Sequence, residues 1–206
     1  MLDQAFDALK KYEWGVEPKT LKPIDESIVS THGNSSARQE LESRLAELLA
    51  ADVPRAAKDY ICRVLRIVGT AASVPALAKL LAEKEHSHMA RYALERIPAP
   101  QAAETLRGAL ASVAGALKIG VISSLGARRD EASVPALAAL LGDSAVAVAR
   151  AAALALGAIR TAAAAKALAQ AASANGKEVK AAVTDASLAC AEALLNEGKK
   201  SEALSL

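Results

Sequence analysis

The sequence predicts an all-α protein, a right-handed α-solenoid (superhelix) of about five helical hairpins behind an N-terminal helical cap. Three observations lead there. The 206 residues are 52% hydrophobic but only 2% aromatic, and roughly a quarter are alanine. A β-sandwich or barrel would need more Val, Thr, Tyr and Phe in alternating runs, and a disordered chain could not carry this much apolar content. Apolar positions recur at spacings of three and four, as in Leu77, Leu80, Leu81 and Leu137, Leu140, Leu141, which is helical periodicity. Finally, the chain repeats itself. Ser73-Val74-Pro75-Ala76-Leu77-Ala78 returns as Ser133-Val134-Pro135-Ala136-Leu137-Ala138, sixty residues on, or two units of thirty.

The halfway copy runs from Ala103 to Leu110 and a further one from Ala165 to Ala172, so that Leu77, Leu106, Leu137 and Leu168 fall in register. A second motif ends the other helix of each unit. It reads VLRIVG (64–69), ALERIP (93–98), SLGARR (124–129) and ALGAIR (155–160), with Leu65, Leu94, Leu125 and Leu156 as its leucines. Spacings of 29, 31 and 31 residues fit two helices of about three turns each plus two tight turns.

In chain order, residues 1–36 form the cap, with helices from Asp3 to Tyr12 and from Leu21 to Thr31. Its Phe6, Tyr12 and Trp14 are three of the five aromatics and are expected to cover the apolar face that a first repeat exposes. The repeats occupy 37–198, and the pairs are Ala37–Ala51 with Pro54–Val68, Val74–Ala82 with Ser87–Ile97, and Gln101–Ser112 with Ala116–Ala127. Val134–Leu141 with Ala145–Ile159 and Ala162–Ser173 with Lys177–Asn196 complete them. Pro54, Pro75 and Pro135 fall in first turns, where proline loses no intrahelical bond. Ser73, Ser133 and Asp143 are the expected N-caps, and Gly69, Gly126, Gly157 and Gly198 the expected helix ends. Residues 199–206 begin a further helix that stops without a cap, which predicts a piece of a longer polypeptide. Leu194, Gly198, Ala203 and Leu204 give this end a tetratricopeptide-like pattern.

The ALGAIR motif, VPALAALL and the thirty-residue period resemble HEAT-like repeats, particularly the short type of phycobilisome lyases, over about Ala37 to Asn196. SHMARYALERIP and GALKIGVISSLGARR resemble HEAT-repeat segments of planctomycete and verrucomicrobial proteins, many of which carry an export signal before the repeats. The resemblance implies a fold and leaves activity open, because the signature residues pack helices. Family members often open the second helix with Val-Arg. Here Lys58, Lys118 and Lys180 stand near that register, with Ser87 and Ala149 elsewhere.

The resemblance also implies that second helices line a concave surface. Arg55, Lys58, Arg63, Arg66, His88, Arg91, Tyr92, Lys118 and Arg150 are the candidate binding residues on it. The function expected is a noncatalytic interaction scaffold for a protein or peptide. One alternative is a nucleic-acid module of the HEAT-like glycosylase type, disfavoured by a net charge of +2 and by the lack of any aromatic after Tyr92 for base stacking. Another is a HEAT-like enzyme or bilin-lyase-type protein. HEAT-like iron hydroxylases imply repeated His-Glu pairs, whereas this chain has a single inverted Glu85-His86.

No catalytic, cofactor-binding or metal-binding residue is assigned. His86 and His88 lie beside Glu83 and Glu85, but the i, i+2 spacing splays the rings, so a polar turn is expected. No P-loop, Gly-x-Ser-x-Gly or Gly-x-Gly-x-x-Gly occurs. Cys62 and Cys190 are expected to be core residues ~35 Å apart, too far for a disulfide. Arg150, Arg160 and Lys166 interrupt the apolar stretch from Ala145 to Ala174, so no membrane insertion is expected. Met1-Leu2-Asp3-Gln4 does not open a secretory leader. The expected compartment is the cytoplasm or, if an export signal has been removed, the periplasm.

Overall fold

A computed structural model describes residues 1–171 and 176–204. Among the described residues the regular structure is helical, with no strand. In chain order the α-helices are α1 (Leu2–Leu9), α2 (Lys22–Ser30), α3 (Ser35–Leu49), α4 (Arg55–Val68), α5 (Val74–Lys79), α6 (Ser87–Leu94) and α7 (Pro100–Ser112). Then come α8 (Gly115–Arg128), α9 (Val134–Leu140), α10 (Val146–Ile159), α11 (Ala162–Ala171), α12 (Lys177–Asn196) and α13 (Lys200–Ala203). The helical hairpins of an α-solenoid are therefore present. Most expected helices lie within two or three residues of the observed ones. Positions 172 and 173, expected to end α11, fall outside the described residues, as do 205 and 206.

The chain divides into two compact units, residues 1–105 and 106–206. In the first, α3 packs on α4 and α5, and α6 packs on α4 and α5. In the second, α8, α10 and α12 stack in sequence, with α9 and α11 packed against them and against each other. Both units thus place first helices beside first helices and second beside second. The leucines that define the repeat drive this packing. Leu65, Leu94, Leu125 and Leu156, with Leu77, Leu106, Leu137 and Leu168, are all fully buried. Each stabilises the fold by about 1.5–3 kcal/mol relative to exposure. On α4 the buried stripe Ala57, Ile61, Val64, Leu65, Val68 follows the three-and-four spacing of one helical face.

Helix ends differ from expectation in three ways. Ser73 and Ser133 occupy N-cap positions with no side-chain capping bond. Their backbones are already helical, which turns the hydroxyls away from the first-turn N–H groups. Ser73 Oγ donates instead to the Thr70 carbonyl at 3.2 Å, and Ser133 Oγ to that of Asp130 at 2.6 Å. Asp143 stands too early to cap α10, and its Oδ1 accepts from the Ala145 N–H at 2.8 Å. Gly126 and Gly157 do not terminate helices. The terminators are Arg129 and Arg160, held in the left-handed region at φ 53° and 59°.

The two glycines serve helix approach. A Cβ on Gly126 would lie 2.9 Å from Ala155 Cα, and one on Gly157 would lie 2.8 Å from Ala186 Cα. The obstacle is a neighbouring helix backbone, which cannot rotate aside. Tight stacking therefore selects glycine at both places.

Candidate functional site

In the first unit the candidate cations gather on α4 and α6. α4 alone carries Arg55, Lys58, Arg63 and Arg66 against one carboxylate, Asp59. Tyr60 ties α4 to the cap: its Oη donates to Asp25 Oδ1 at 2.7 Å and the Tyr12 and Tyr60 rings lie 6.3 Å apart. Arg55 and Arg63 are left exposed and Lys58 half-buried.

Two of these arginines are placed over aromatic rings. The Arg66 guanidinium lies 4.5 Å from the centre of the Tyr92 ring, and that of Arg55 lies 5.3 Å from the Trp14 ring. Both distances suit cation–π attraction. Trp14 remains 58% exposed, so it does not cover the apolar repeat face expected of it. Phe6 does, being buried with the Arg44 guanidinium 4.0 Å above its ring.

His88 is exposed on α6, while Arg91 and Tyr92 are half-buried. Burial holds the Arg91 pKa below its ordinary value, and the Glu95 carboxylate opposes that shift. Burial also raises the Asp59 carboxyl, against the pull of Arg55, His86, Arg63 and His88. Asp59 Oδ1 is sealed from solvent without a hydrogen-bond partner. Sequence reading passed over Asp59. Its position, one carboxylate in the middle of a four-cation helix, was the available signal.

The structure brings together Arg66 and Tyr92, and places Asp59 within electrostatic reach of Arg55, Arg63 and His88. Lys118 on α8 and Arg150 on α10 belong to the second unit. Arg150 is exposed and lines a groove of about 360 Å³ between α8 and α10, whose walls include Ile119, Ser123, Ala151 and Leu154. Leu154 is 54% exposed, an apolar side chain that the sequence reading did not single out.

Of the His-Ser-His segment only His86 lies in the expected polar turn, its Nδ1 2.8 Å from Glu83 Oε2, whereas Ser87 and His88 open α6. No group of three or more His, Cys, Asp or Glu among the described residues is arranged to hold a metal. Cys62 and Cys190 are both free and buried. Burial pushes the Cys62 thiol up to about 12 and raises that of Cys190, so neither is a ready nucleophile at neutral pH. Among the described residues, no helix is long and apolar enough to cross a membrane.

With this geometry in view, residues 114–187 match the family described as HEAT repeats. That stretch is HEAT-like. It contains α8 to α11 and the first half of α12, including the Gly126 and Gly157 approaches. No curated protein matches the chain. Among solved structures, human deoxyhypusine hydroxylase in complex with glycerol is similar at 15% identity with a TM-score of 0.47, over 93% of this chain and 96% of that one.

Proposed function

We propose that the chain is a noncatalytic interaction scaffold that binds a protein or peptide through the outward faces of its second helices, the faces expected to be concave. The observation that carries this reading is the α4–α6 face. Two of its arginines, Arg55 and Arg66, lie over the rings of Trp14 and Tyr92. Such groups are characteristic of protein interfaces, where Arg, Tyr and Trp contribute most binding energy. The HEAT-like match supports the same reading, since stacked repeats present long rigid surfaces. The repeat wording further favours the short phycobilisome-lyase type, similar to planctomycete and verrucomicrobial segments, in the cytoplasm or periplasm.

Photo-crosslinking residues placed at Arg63, His88 and Leu154, all solvent-facing, test the reading in cells. Protein adducts at one or more of these positions are expected. Adducts to nucleic acid alone would replace the scaffold with the nucleic-acid reading.

A further inference from the structure

We propose that the α4–α6 face of the first unit takes an extended acidic peptide segment, whose carboxylates alternate with small or neutral residues. The inference rests on the scaffold reading and names the partner chemistry of one of its surfaces.

Charge is segregated here. Residues 1–105 carry 14 basic and 15 acidic side chains, yet α4 holds four of the cations and a single carboxylate. The positive face is therefore a local feature of a slightly acidic unit. Two other arginines find carboxylates, Arg44 with Asp3 at 2.8 Å and Arg107 with Asp130 at 2.6 Å. Arg55 and Arg66 lie over rings, which holds each guanidinium in place; Arg66 Nε is sealed from solvent, so its Nη groups are the donors offered to an incoming group. A guanidinium so oriented loses little further freedom when it binds a carboxylate by two parallel bonds.

Spacing sets the length of the ligand. Arg55 and Arg66 are eleven residues apart on one helix, hence ~16 Å at 1.5 Å per residue. An extended chain spans that distance in about five residues. Carboxylates about five positions apart would reach both arginines, with Arg63 between them. A continuous polyanion fits less well. Asp59 sits inside the patch, Glu83 pairs with His86 and Glu95 acts on Arg91, so a phosphate on every residue of a strand would meet repulsion that a sparse acidic peptide avoids.

The test uses the full chain and fluorescence anisotropy at low salt. The probe is a labelled twelve-residue Gly/Ser peptide with two glutamates five positions apart, compared with its glutamine counterpart and with a twelve-nucleotide oligothymidine. The glutamate peptide is expected to bind, more weakly as salt rises. Arg55→Gln with Arg66→Gln should weaken it at least ~10-fold, since two charge-assisted contacts are lost. Arg66→Lys should recover part of that loss. Asp59→Asn should tighten binding severalfold, and Lys79→Gln on α5 should leave it unchanged. Melting curves verify that each variant folds. Equal binding of the glutamine peptide, or an unchanged affinity in the double arginine variant, overturns the acidic-peptide inference while peptide binding stands. Binding of oligothymidine with no peptide binding overturns both readings.

Discussion

In the first unit, the linker after α4 is held by long polar side chains. In the second, α8, α10 and α12 are held by the absence of side chains. Arg38 on α3 donates from Nε to the Val68 carbonyl at 2.7 Å and from Nη2 to that of Gly69 at 3.3 Å, closing the C-terminus of α4. One turn on, the buried Glu42 accepts from the Thr70 N–H at 2.6 Å, the Thr70 hydroxyl and the Ser73 N–H at 3.1 Å. In the second unit an ion pair, Arg107 to Asp130 at 2.6 Å, is seen at the linker after α8, and α8, α10 and α12 approach through Gly126 on Ala155 and Gly157 on Ala186. Composition follows suit, with alanine about a sixth of the first unit and a third of the second, and all five aromatics in the first. Where helices carry large mixed side chains, directional bonds fix their spacing. Where they carry small ones, backbone contact does. Only the first unit carries aromatic anchors.

The largest expected effect strikes the polar clamp. Glu42→Ala orphans two backbone N–H groups, one of them buried, and should cost about 3 kcal/mol, read by chemical denaturation. A loss below about 1 kcal/mol would mean that water replaces the carboxylate and that the first unit relies on apolar packing like the second.

Next comes the glycine approach. Gly157→Ala gains about 1 kcal/mol of helix propensity, but overpacking against the α12 backbone costs about 1–3 kcal/mol. Contact at 2.8 Å makes the clash prevail, so a net destabilisation of up to about 2 kcal/mol is expected. Gly108→Ala in α7 is the matched control. Nothing lies within 4 Å of its added Cβ, so the variant should gain about 0.5–1 kcal/mol. If both substitutions stabilise, backbone contact does not define the second unit.

Arg38→Ala should cost about 1 kcal/mol through loss of the α4 C-terminal bonds, measurable as a lower melting temperature. The smallest effect concerns pH. Folding raises the Asp59 carboxyl, so the folded state binds the proton more tightly than the unfolded chain. Stability therefore falls as pH rises from the ordinary carboxylate value to the raised one, and the penalty is full above it. Asp59→Asn should melt about 2 °C higher than the parent at pH 7, with the difference shrinking toward pH 3. A difference that grows on acidification would reverse the assigned cause.

The repeat leucines were legible because burying one helix face in each hairpin forces the same residue type into the same register, as Leu65, Leu94, Leu125 and Leu156 show. Helix ends were less so. Glycine near a helix end has two uses, terminating the helix or admitting a neighbour, and only the position of Ala155 and Ala186 decides between them. The candidate cations were legible as residues of second helices, but their setting was not. Trp14 is forty-one positions from Arg55, and no local pattern joins them. Glu42 looked like any exposed helical carboxylate, although its flanking Leu41 and Leu45 mark a buried face.

The spacing of the close approaches has a consequence for evolvability. Gly126 and Gly157 are thirty-one residues apart, as are Ala155 and Ala186, and as are the left-handed Arg129 and Arg160. The surface that α10 offers to α12 thus repeats the one that α8 offers to α10. A duplicated block of residues 130–160 would find a matching neighbour on either side, so the second unit could lengthen by whole modules without any new interface having to be invented.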